Sequence, residues 1–513
     1  MSYKKARLNM FTYSDFVKYQ KSAKTDFCPF SDHADVYSVT VNGKKVPVYS
    51  CTISKYPFNK RYNGFQRSED QTETAYFVNI IGDGLLNFTV KSKRKIEFVK
   101  LKPYASQIKP KVSGNDVSFT IDKIGQYVLH VNGSHSPLYV FYSEEYKLPP
   151  EGATYVVKPG IKRQDFVLKS GESLYIDKDA YVYGNVFVEN AENVRIFGNG
   201  IMDDGYEARG LGNCYCLGEN IPSSIGNLKL YNAKNVTIEG VGFVNSACYA
   251  LNCECSENIF IKDVKVFGQW RYNTDGIDFM NCRNVTVKDS FVSVFDDCLC
   301  VKGISNNTRD SYGFLFENII LSNDWGRACE IGLETFADQI YDVTYKNVHV
   351  IKCDDVAFDI QNGDFAHVHD VKYIDCVLEC KSYYTPHQLQ TSFDEKYSKE
   401  NEINVVQLFN AVNYRMLGSI NADEIYNWNY DVYKKGANSA TISDVLMENV
   451  KVYYDEKIGM ENGAYKLPVL IDSVVKNRTH KNIKLKNVTV NGEKLNYNNV
   501  VLSISFAENF TIE

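Results

Sequence analysis

Residues 235–289 read NVTIEGVGFVNSACYALNCECSENIFIKDVKVFGQWRYNTDGIDFMNCRNVTVKD, and one short phrase occurs three times in this stretch. Asn235, Asn258 and Asn284 each precede an apolar residue, then any residue, then another apolar residue. The successive spacings are 23 and 26 residues. Repeats of this length, rich in β-branched residues and without helical periodicity, indicate a parallel β-helix.

The same phrase recurs along the rest of the chain. Further copies begin at Asn193, Asn318, Asn347, Asn449, Asn482 and Asn509. A repeated asparagine at one turn of each rung predicts a ladder of stacked side-chain amides. The alternative is a large β-sandwich in which the repeats are a coincidence.

The region before the repeats has a different texture. Residues 32–146 alternate apolar and polar side chains in short runs separated by NG, GDG and SGND turns, which predicts an antiparallel β-sandwich. Residues 147–152 (KLPPEG) read as a linker because two prolines cannot enter a strand ladder. The domains expected are therefore an extension at 1–31, the sandwich, and a β-helix at 153–513 with an insertion at about 383–435.

Composition limits the class of partner. The chain has 513 residues, 57 basic and 63 acidic side chains and a net charge of −6. No polybasic run and no apolar stretch of membrane-spanning length is present, so neither nucleic acid nor a membrane is expected as a partner. Without a signal peptide a cytoplasmic location is expected, or secretion if a leader has been removed. The sequence does not indicate an oligomeric state.

The fourteen cysteines are not spaced as a disulfide framework or a zinc site. Several lie two apart in apolar runs: Cys214/Cys216, Cys253/Cys255 and Cys298/Cys300. Two such residues on a strand share one face, so these cysteines are expected to be small buried hydrophobes in a reduced compartment. No metal or other cofactor is predicted.

Carboxylates collect before equivalent strands of successive rungs. The strand-like segments 276–280, 298–301, 329–332 and 356–360 follow, in turn, the residues NTD (273–275), DD (296–297), GR (326–327) and DD (354–355). Equivalent positions of neighbouring rungs lie roughly 4.8 Å apart. Asp275 is therefore expected beside the Asp296–Asp297 pair. Isolated aspartates before strands are usually turn residues, but three in one place are electrostatically unfavourable and suit hydrolysis of glycosidic bonds.

NTDGID (273–278) and DDC (296–298) resemble the signature of polygalacturonases, glycoside hydrolase family 28. GNGIMDDG (198–205) is similar to an early turn of that family. The related dextranase and isopullulanase family, with a sandwich before the β-helix, is a close second. The resemblance implies an inverting, metal-free hydrolase in which Asp296 is the general acid. Asp275 and Asp297 would hold and deprotonate the attacking water.

The chain also departs from that family. Arg327 stands where the family has a histidine, and AFDIQNGD (357–364) stands where a cationic substrate clamp is expected. A guanidinium does not relay a proton, but it can hold an anion or a hydroxyl group. A neutral or mixed glycan is thus as good a candidate as a galacturonide.

Other residues near these strands are candidates for contacts with an oligosaccharide or polysaccharide, and for each an ordinary structural role is the alternative. The predicted substrate-binding residues are Asn273, Trp270, Arg271, Arg327, Glu330, Asp359 and Gln361. Trp325 and Tyr272 could also stack on sugar rings. His367 and His369 are expected on a solvent-exposed loop, and Asp203-Asp204 and Asp354-Asp355 in turns.

The function predicted is an inverting glycoside hydrolase, exo-acting if the insertion at 383–435 closes one end of the cleft. Two alternatives stay open. One is a polysaccharide lyase or an epimerase on the same fold, and the other is a non-catalytic glycan-binding protein.

Overall fold

The computed structural model describes residues 36–55, 72–207, 226–303, 309–380, 406–413, 440–473 and 478–513. The predicted extension at 1–31, the pair Cys214/Cys216 and most of the insertion at 383–435 lie outside these residues. Residues 407–413, inside the range predicted as an insertion, form a strand of the β-helix.

The described residues between positions 37 and 143 form two sheets that face each other across a shared apolar core. Neighbouring strands are antiparallel except Thr72–Ile81 and Leu138–Ser143, which pair in parallel. The strands of the first sheet, in spatial order, are Lys44–Val46, Tyr37–Val41, Leu86–Ser92, Asp116–Ile121 and Lys111–Ser113. Those of the second are Tyr49–Ser54, Thr72–Ile81, Leu138–Ser143, Gly125–Val131 and Val99–Lys102.

The rest of the described chain winds through three sheets, called faces A, B and C, whose strands pair in parallel from rung to rung, except that the short strands Met460–Glu461 and Glu493–Lys494 pair antiparallel with their neighbours. Face A contains Tyr155–Val157, Ser173–Ile176, Glu192–Gly198, Lys234–Glu239, Glu257–Lys262, Arg283–Lys288, Ser311–Glu317, Gln339–Lys346, His367–Ile374, Thr441–Glu448, His480–Lys486, Ala507–Glu508 and Thr511–Ile512. Face B contains Gly160–Arg163, Ala180–Tyr183, Ile201–Asp203, Gly242–Val244, Lys265–Phe267, Phe291–Val294, Ile320–Asn323, His349–Lys352, Val377–Cys380, Lys451–Tyr454, Thr489–Val490 and Glu493–Lys494.

Face C contains Phe166–Leu168, Val186–Glu189, Leu228–Tyr231, Leu251–Glu254, Ile277–Met280, Leu299–Gly303, Cys329–Thr335, Val356–Asn362, Gln407–Asn413, Ala464–Ser473, Met460–Glu461 and Val500–Ile504. Two 3-10 turns, Tyr104–Ser106 and Glu456–Ile458, complete the described elements. Inward-facing Val, Ile, Leu and Phe of all three faces form one continuous core. The prediction of a parallel β-helix preceded by a small β-sandwich is confirmed.

The predicted asparagine ladder exists, but it is divided between two turns. Asn235 donates to Asn193 at 2.9 Å and Asn258 to Asn235 at 2.9 Å, all at the start of face A strands. Asn347 donates to Asn318 at 2.8 Å at a different corner, between faces A and B. The expectation of a single turn was therefore wrong.

Backbone conformation explains why asparagine recurs at both corners. Asn193, Asn235 and Asn318 have φ of 59°, 54° and 59°, in the left-handed region. Asparagine tolerates this region better than most residues with a side chain. Its amide is also both donor and acceptor, so one residue type satisfies the sharp corner and the bond to the next rung.

The two cysteines of each described pair do not lie on the same side of a strand, so the predicted shared face was wrong. Cys298 and Cys253 belong to the apolar core. Cys300 points to the other side of its strand, toward Asp278, and Cys255 is half-buried with φ of 49°. None of the cysteines in the described ranges forms a disulfide.

The sandwich lies along face B of the β-helix. Its second sheet packs Phe77 and Phe141 against Phe267 and Phe291, with ring centroids 5.0 Å apart for Phe77–Phe267 and 5.4 Å for Phe141–Phe291. This aromatic layer covers a side wall of the β-helix and leaves face C free of it. Across the described ranges, no helix has the length and apolarity needed to span a membrane.

Candidate active site

Main-chain hydrogen bonds fix which residues of successive rungs lie side by side at the start of face C. Gly276 N donates to Asp297 O at 2.7 Å, and Cys298 N donates to Arg327 O at 2.9 Å. The residues before each strand are therefore in register, so Asp275, Asp297 and Arg327 form one column. The predicted equivalence of the four strands is confirmed by their pairing.

Asp296 lies at the same site because two glycines allow the rungs to approach. A Cβ on Gly326 would overlap one carboxylate oxygen of Asp296 and one of Asp297. A Cβ on Gly276 would overlap Val292 and the carbonyl group of Cys298. The three aspartates predicted as catalytic are therefore brought together, each less than a tenth exposed.

Lys302 is a buried cation that contacts the aspartates at this site. Its Nζ lies 3.0 Å from Asp275 Oδ2 and 3.1 Å from Asp278 Oδ2, and its side chain is 4% exposed. Burial raises the pKa of Asp275 well above its usual range; the Lys302 ammonium opposes this, while Asp278, Asp296 and Asp297 add to it. Burial lowers the pKa of Lys302, but its acidic neighbours outweigh this and hold that pKa well above its usual value.

Asp275 and Asp297 are close enough to share one small ligand. One oxygen of each, together with Cys300 Sγ, lies within 4.8 Å of the others. Two acceptors at this separation can both accept hydrogen bonds from one water molecule, since each bond spans about 2.8 Å. The same atoms are of the types that bind metal ions, but Lys302 already supplies a positive charge beside Asp275.

Arg327 lies between this trio and the next rungs. Its main-chain N donates to Asp297 Oδ1 at 2.6 Å. Its guanidinium is 3.8 Å from Asp297, 3.5 Å from Asp355 and 3.4 Å from Asp359, and the side chain is 25% exposed. The guanidinium thus spans several carboxylates without closing tightly on any one of them.

Glu330 and Asp359 are paired in register on face C and both are fully buried. Asp359 accepts hydrogen bonds from Asn410 at 2.6 Å and from Gln361 at 2.9 Å. Burial raises the pKa of Asp359 to about 6, against the lowering influence of Arg327. Burial, and then Asp359, raise the pKa of Glu330 well above its usual range.

An aromatic group borders the aspartates. Phe295 and Trp325 stack with ring centroids 5.9 Å apart, and Tyr272 meets Trp325 edge-on at 6.3 Å. Tyr272 and Trp325 are half-buried, so part of each ring can meet a sugar. Asn273, at the start of the NTD motif, has φ of 55° and is half-buried.

Trp270 and Arg271 hold a neighbouring loop. Trp270 Nε1 donates to Asn245 at 2.9 Å. Arg271 is 5% exposed and donates to the main-chain carbonyls of Glu207 at 2.9 Å and Gly205 at 3.4 Å. These bonds indicate that Arg271 is a buried residue that positions the segment containing Gly205 and Glu207.

Two other predicted groups lie elsewhere. His367 and His369 are on the face A strand His367–Ile374, so their expected loop position was wrong. Asp203 and Asp204 are buried, and burial raises the pKa of each to about 6. Asp204 accepts hydrogen bonds from Asn185 and from the main chain of Ala247, both at 2.7 Å, as a structural residue would.

Sequence reasoning missed Lys302 and Gly326. Lys302 carries a recognisable signal, because a lysine in the apolar strand Leu299–Gly303 must either be paired or leave the strand. Gly326 carries a weaker one, since a glycine directly before a charged strand start has several ordinary explanations.

Comparison with known proteins identifies the family. The profile of the glycosyl hydrolases family 28 matches residues 165–466, more than half of the chain. The chain belongs to this family. The matched range includes the Asp275–Asp297 column and Lys302.

Curated relatives match the family 28 chain over shorter stretches. An exopolygalacturonase from Arabidopsis thaliana is 37% identical over 89 residues, 17% of this chain and 21% of that one. A probable rhamnogalacturonase A from Aspergillus oryzae is 27% identical over 207 residues, 38% and 41% of the two chains. The chain thus spans less than half the length of these relatives.

Among solved structures, Dex49A from Penicillium minioluteum is similar over 96% of both chains, with a TM-score of 0.52 and 11% identity. This likeness concerns the fold and extends over almost the whole of both chains, the N-terminal sandwich included.

Replacing Lys302 with methionine is expected to move the pH profile of the enzyme. Removing the ammonium leaves Asp275 and Asp278 buried without a cation, so the pKa of Asp275 rises further. If Asp275 must be ionised for activity, the acid limb of kcat/KM should shift to higher pH by roughly 1 unit or more. Measured pH profiles of Lys302→Met, Lys302→Arg and the exposed control Lys346→Met test this; an unmoved acid limb in Lys302→Met would refute it.

Gly326→Ala is expected to abolish most activity while the fold persists. The added Cβ displaces the carboxylates of Asp296 and Asp297, and a misplacement of about 1 Å can cost roughly 100-fold in rate. Steady-state kinetics and thermal unfolding would be compared with Gly82→Ala, where a Cβ meets nothing within 4 Å. Wild-type kinetics in Gly326→Ala would show that the two carboxylates do not act from these positions.

Proposed function

We propose that this chain is an inverting glycoside hydrolase that cleaves a pectin-type glycan containing galacturonate. The observation that carries the proposal is the placement of Asp275 and Asp297 side by side, with Asp296 adjoining them and Lys302 beneath. Membership of glycosyl hydrolases family 28 supports the reaction class. The names of the polygalacturonase and rhamnogalacturonase relatives support the substrate class.

The proposed reaction uses the three carboxyl groups in two roles. Asp296 donates its proton to the glycosidic oxygen as the bond from that oxygen to the anomeric carbon breaks. Asp275 and Asp297 together hold a water molecule, take its proton, and direct its oxygen to the opposite face of the same carbon. One added water thus yields two sugars, and the new hydroxyl has the inverted configuration.

Burial raises the pKa of the Asp275 carboxyl, and this sets the expected pH dependence. A base must be ionised, so activity is present above the pKa of Asp275 and is lost as pH falls through it. Because that pKa is raised, the loss should begin above the range of an exposed aspartate.

The lyase alternative finds less support in these contacts. A lyase of this type would need a neutral Lys or Arg as its base. Lys302 is held charged by two carboxylates, and the guanidinium of Arg327 does not deprotonate in proteins. Exo-action stays a prediction from sequence, because it depends on the range 383–435, most of which lies outside the described residues.

Asp296→Asn should lose activity on natural glycans by several orders of magnitude but much less on an aryl glycoside with a good leaving group. The variant has no proton to donate, and an activated leaving group does not need one. Asp275→Asn and Asp297→Asn should be inactive on both substrates, because both need the base. Rates for the three variants, with the product anomer followed by NMR, test the roles; equal losses on both substrates in Asp296→Asn would contradict its assignment as the acid.

Activity is expected to be unchanged in excess chelator, because Lys302 supplies the cation beside Asp275. The atoms of Asp275, Asp297 and Cys300 make the opposite result chemically reasonable, so the assay is informative. Hydrolysis would be followed in wild type and Cys300→Ala with chelator and after adding calcium or zinc back. Loss of activity that a metal restores in wild type would replace the metal-free mechanism.

A further inference from the structure

A pocket separate from the aspartates lies where the sandwich meets the first rungs of the β-helix. Strands Tyr49–Ser54 and Thr72–Ile81 of the sandwich form one side of it, and the β-helix corner at Lys178 and Asp179 forms the other. Its volume is about 280 Å³, close to the lower end of the range for small-molecule sites. This cavity is called the junction pocket.

The junction pocket and the catalytic carboxyls occupy different corners of the β-helix. Lys178 and Asp179 connect the face A strand Ser173–Ile176 to the face B strand Ala180–Tyr183. Asp275 lies three rungs later, where face B passes to face C, and successive rungs are roughly 4.8 Å apart. The sandwich packs on face B, between these two corners. A sugar in the junction pocket is therefore out of reach of the aspartates.

One buried residue, Asn199, holds the two sides of the pocket together. Its side chain donates to the main-chain carbonyl of Glu144 at 3.0 Å and accepts from Tyr146 N at 2.8 Å. Its main-chain carbonyl accepts from Asn79 Nδ2 at 3.3 Å. These bonds fix the sandwich and the segment that follows it to the β-helix. The pocket is thus formed before a ligand binds, which lowers the entropic cost of binding.

The floor of the pocket is apolar and one wall is aromatic. Phe77, Tyr181 and Ile201 are each less than a tenth exposed, and the hydroxyl group of Tyr181 donates to Asp203. Tyr49 is half-buried, with its ring centroid 5.3 Å from that of Phe77. A pyranose ring has an apolar face of C–H groups, which such a surface can cover.

The rim of the pocket is polar, reached by solvent and balanced in charge. Glu145, Lys178 and Asp179 have side chains that are 42%, 43% and 61% exposed. Lys178 Nζ lies 2.7 Å from Asp179 Oδ2 and Lys147 Nζ lies 3.5 Å from Glu145 Oε2, so each carboxylate has an ammonium partner. Asn79 adds a half-buried amide. Sugar hydroxyl groups can donate to the carboxylates and accept from the ammonium and the amide, whereas an ion finds no excess of opposite charge.

We propose that the junction pocket is a second saccharide site, which holds one uncharged sugar residue of a glycan and takes no part in bond cleavage. Because the chain belongs to a family of glycoside hydrolases, a saccharide is the hydroxyl-rich ligand that it meets. The inference goes beyond the proposed function, since it gives the sandwich a binding role through Tyr49 and Asn79. A glycan held there stays on the enzyme while another part of it reaches the aspartates.

Calorimetric titration with three uncharged probes tests the site: methyl galactoside, methyl rhamnoside and methyl glucoside. Ile81→Trp fills the pocket with a larger ring, and Val112→Trp adds the same ring at an exposed position of the sandwich. At least one probe should bind wild type and Val112→Trp equally, and bind Ile81→Trp more weakly by roughly tenfold or more. Added salt should leave this affinity unchanged, because an uncharged ligand forms no ion pair.

Tyr49→Ala tests the aromatic wall by removing a ring instead of adding one. It should weaken the same binding, with thermal unfolding measured to confirm that the sandwich stays folded. Both pocket variants should keep the wild-type kcat/KM on a short soluble galacturonide, because the aspartates are untouched. Loss of kcat/KM together with binding would place the sugar in the catalytic cleft and refute the site.

Three other results would overturn the inference. They are failure of all three probes to bind, an affinity that neither Ile81→Trp nor Tyr49→Ala changes, and tighter binding of galacturonate than of methyl galactoside at the pocket. Binding is measured without turnover, so it is independent of the proposed function. Hydrolysis without binding at the pocket would refute this site alone, and pocket binding by a wild-type enzyme that cleaves no glycan would refute the proposed function alone.

Discussion

The parallel hydrogen-bond register of face C is the constraint on which the site depends. It places Asp275 beside Asp297 and Asp297 beside Arg327, although 22 and 30 residues separate these positions in sequence. Side chains alternate between the two sides of a strand, so a shift of one residue would exchange the inward and outward sets. The apolar core prevents that shift, because it would bury Asp278 among the side chains that line the interior.

Several carboxylates placed this close together repel one another and need room. Two residues of the chain meet these two requirements. Lys302 neutralises the buried floor through Asp275 and Asp278. Gly326 leaves the space into which Asp296 and Asp297 turn. Neither residue performs the proposed chemistry, yet without the first the buried carboxyls would take up protons, and without the second they would be displaced. The positive charge of Lys302 and the space left at Gly326 thus come from the same rungs, or the rungs next to those, that carry the acidic residues.

The repeats predicted the β-helix and the grouping of the aspartates because both follow from periodicity alone. The phrases at Asn235 and Asn318 look alike, but a face A strand follows the first and a face B strand follows the second, so composition could not separate the two corners. The place of the sandwich was beyond prediction for another reason. Phe267 and Phe291 read as ordinary strand residues until the sheet that covers them is known.

The charged side chains on the outward side of face C differ from rung to rung. Lys229 and Glu254 form an ion pair on the earlier rungs, and Lys302 is matched by two carboxylates in the middle. Asp296 and Asp297 add two carboxyl groups near Lys302, and Glu330 and Asp359 lie side by side on the rungs that follow. Since a β-helix extends a cleft by adding rungs, each rung can set its own local charge while the backbone frame stays constant. Catalysis and selectivity can then be specified by neighbouring rungs that share one register.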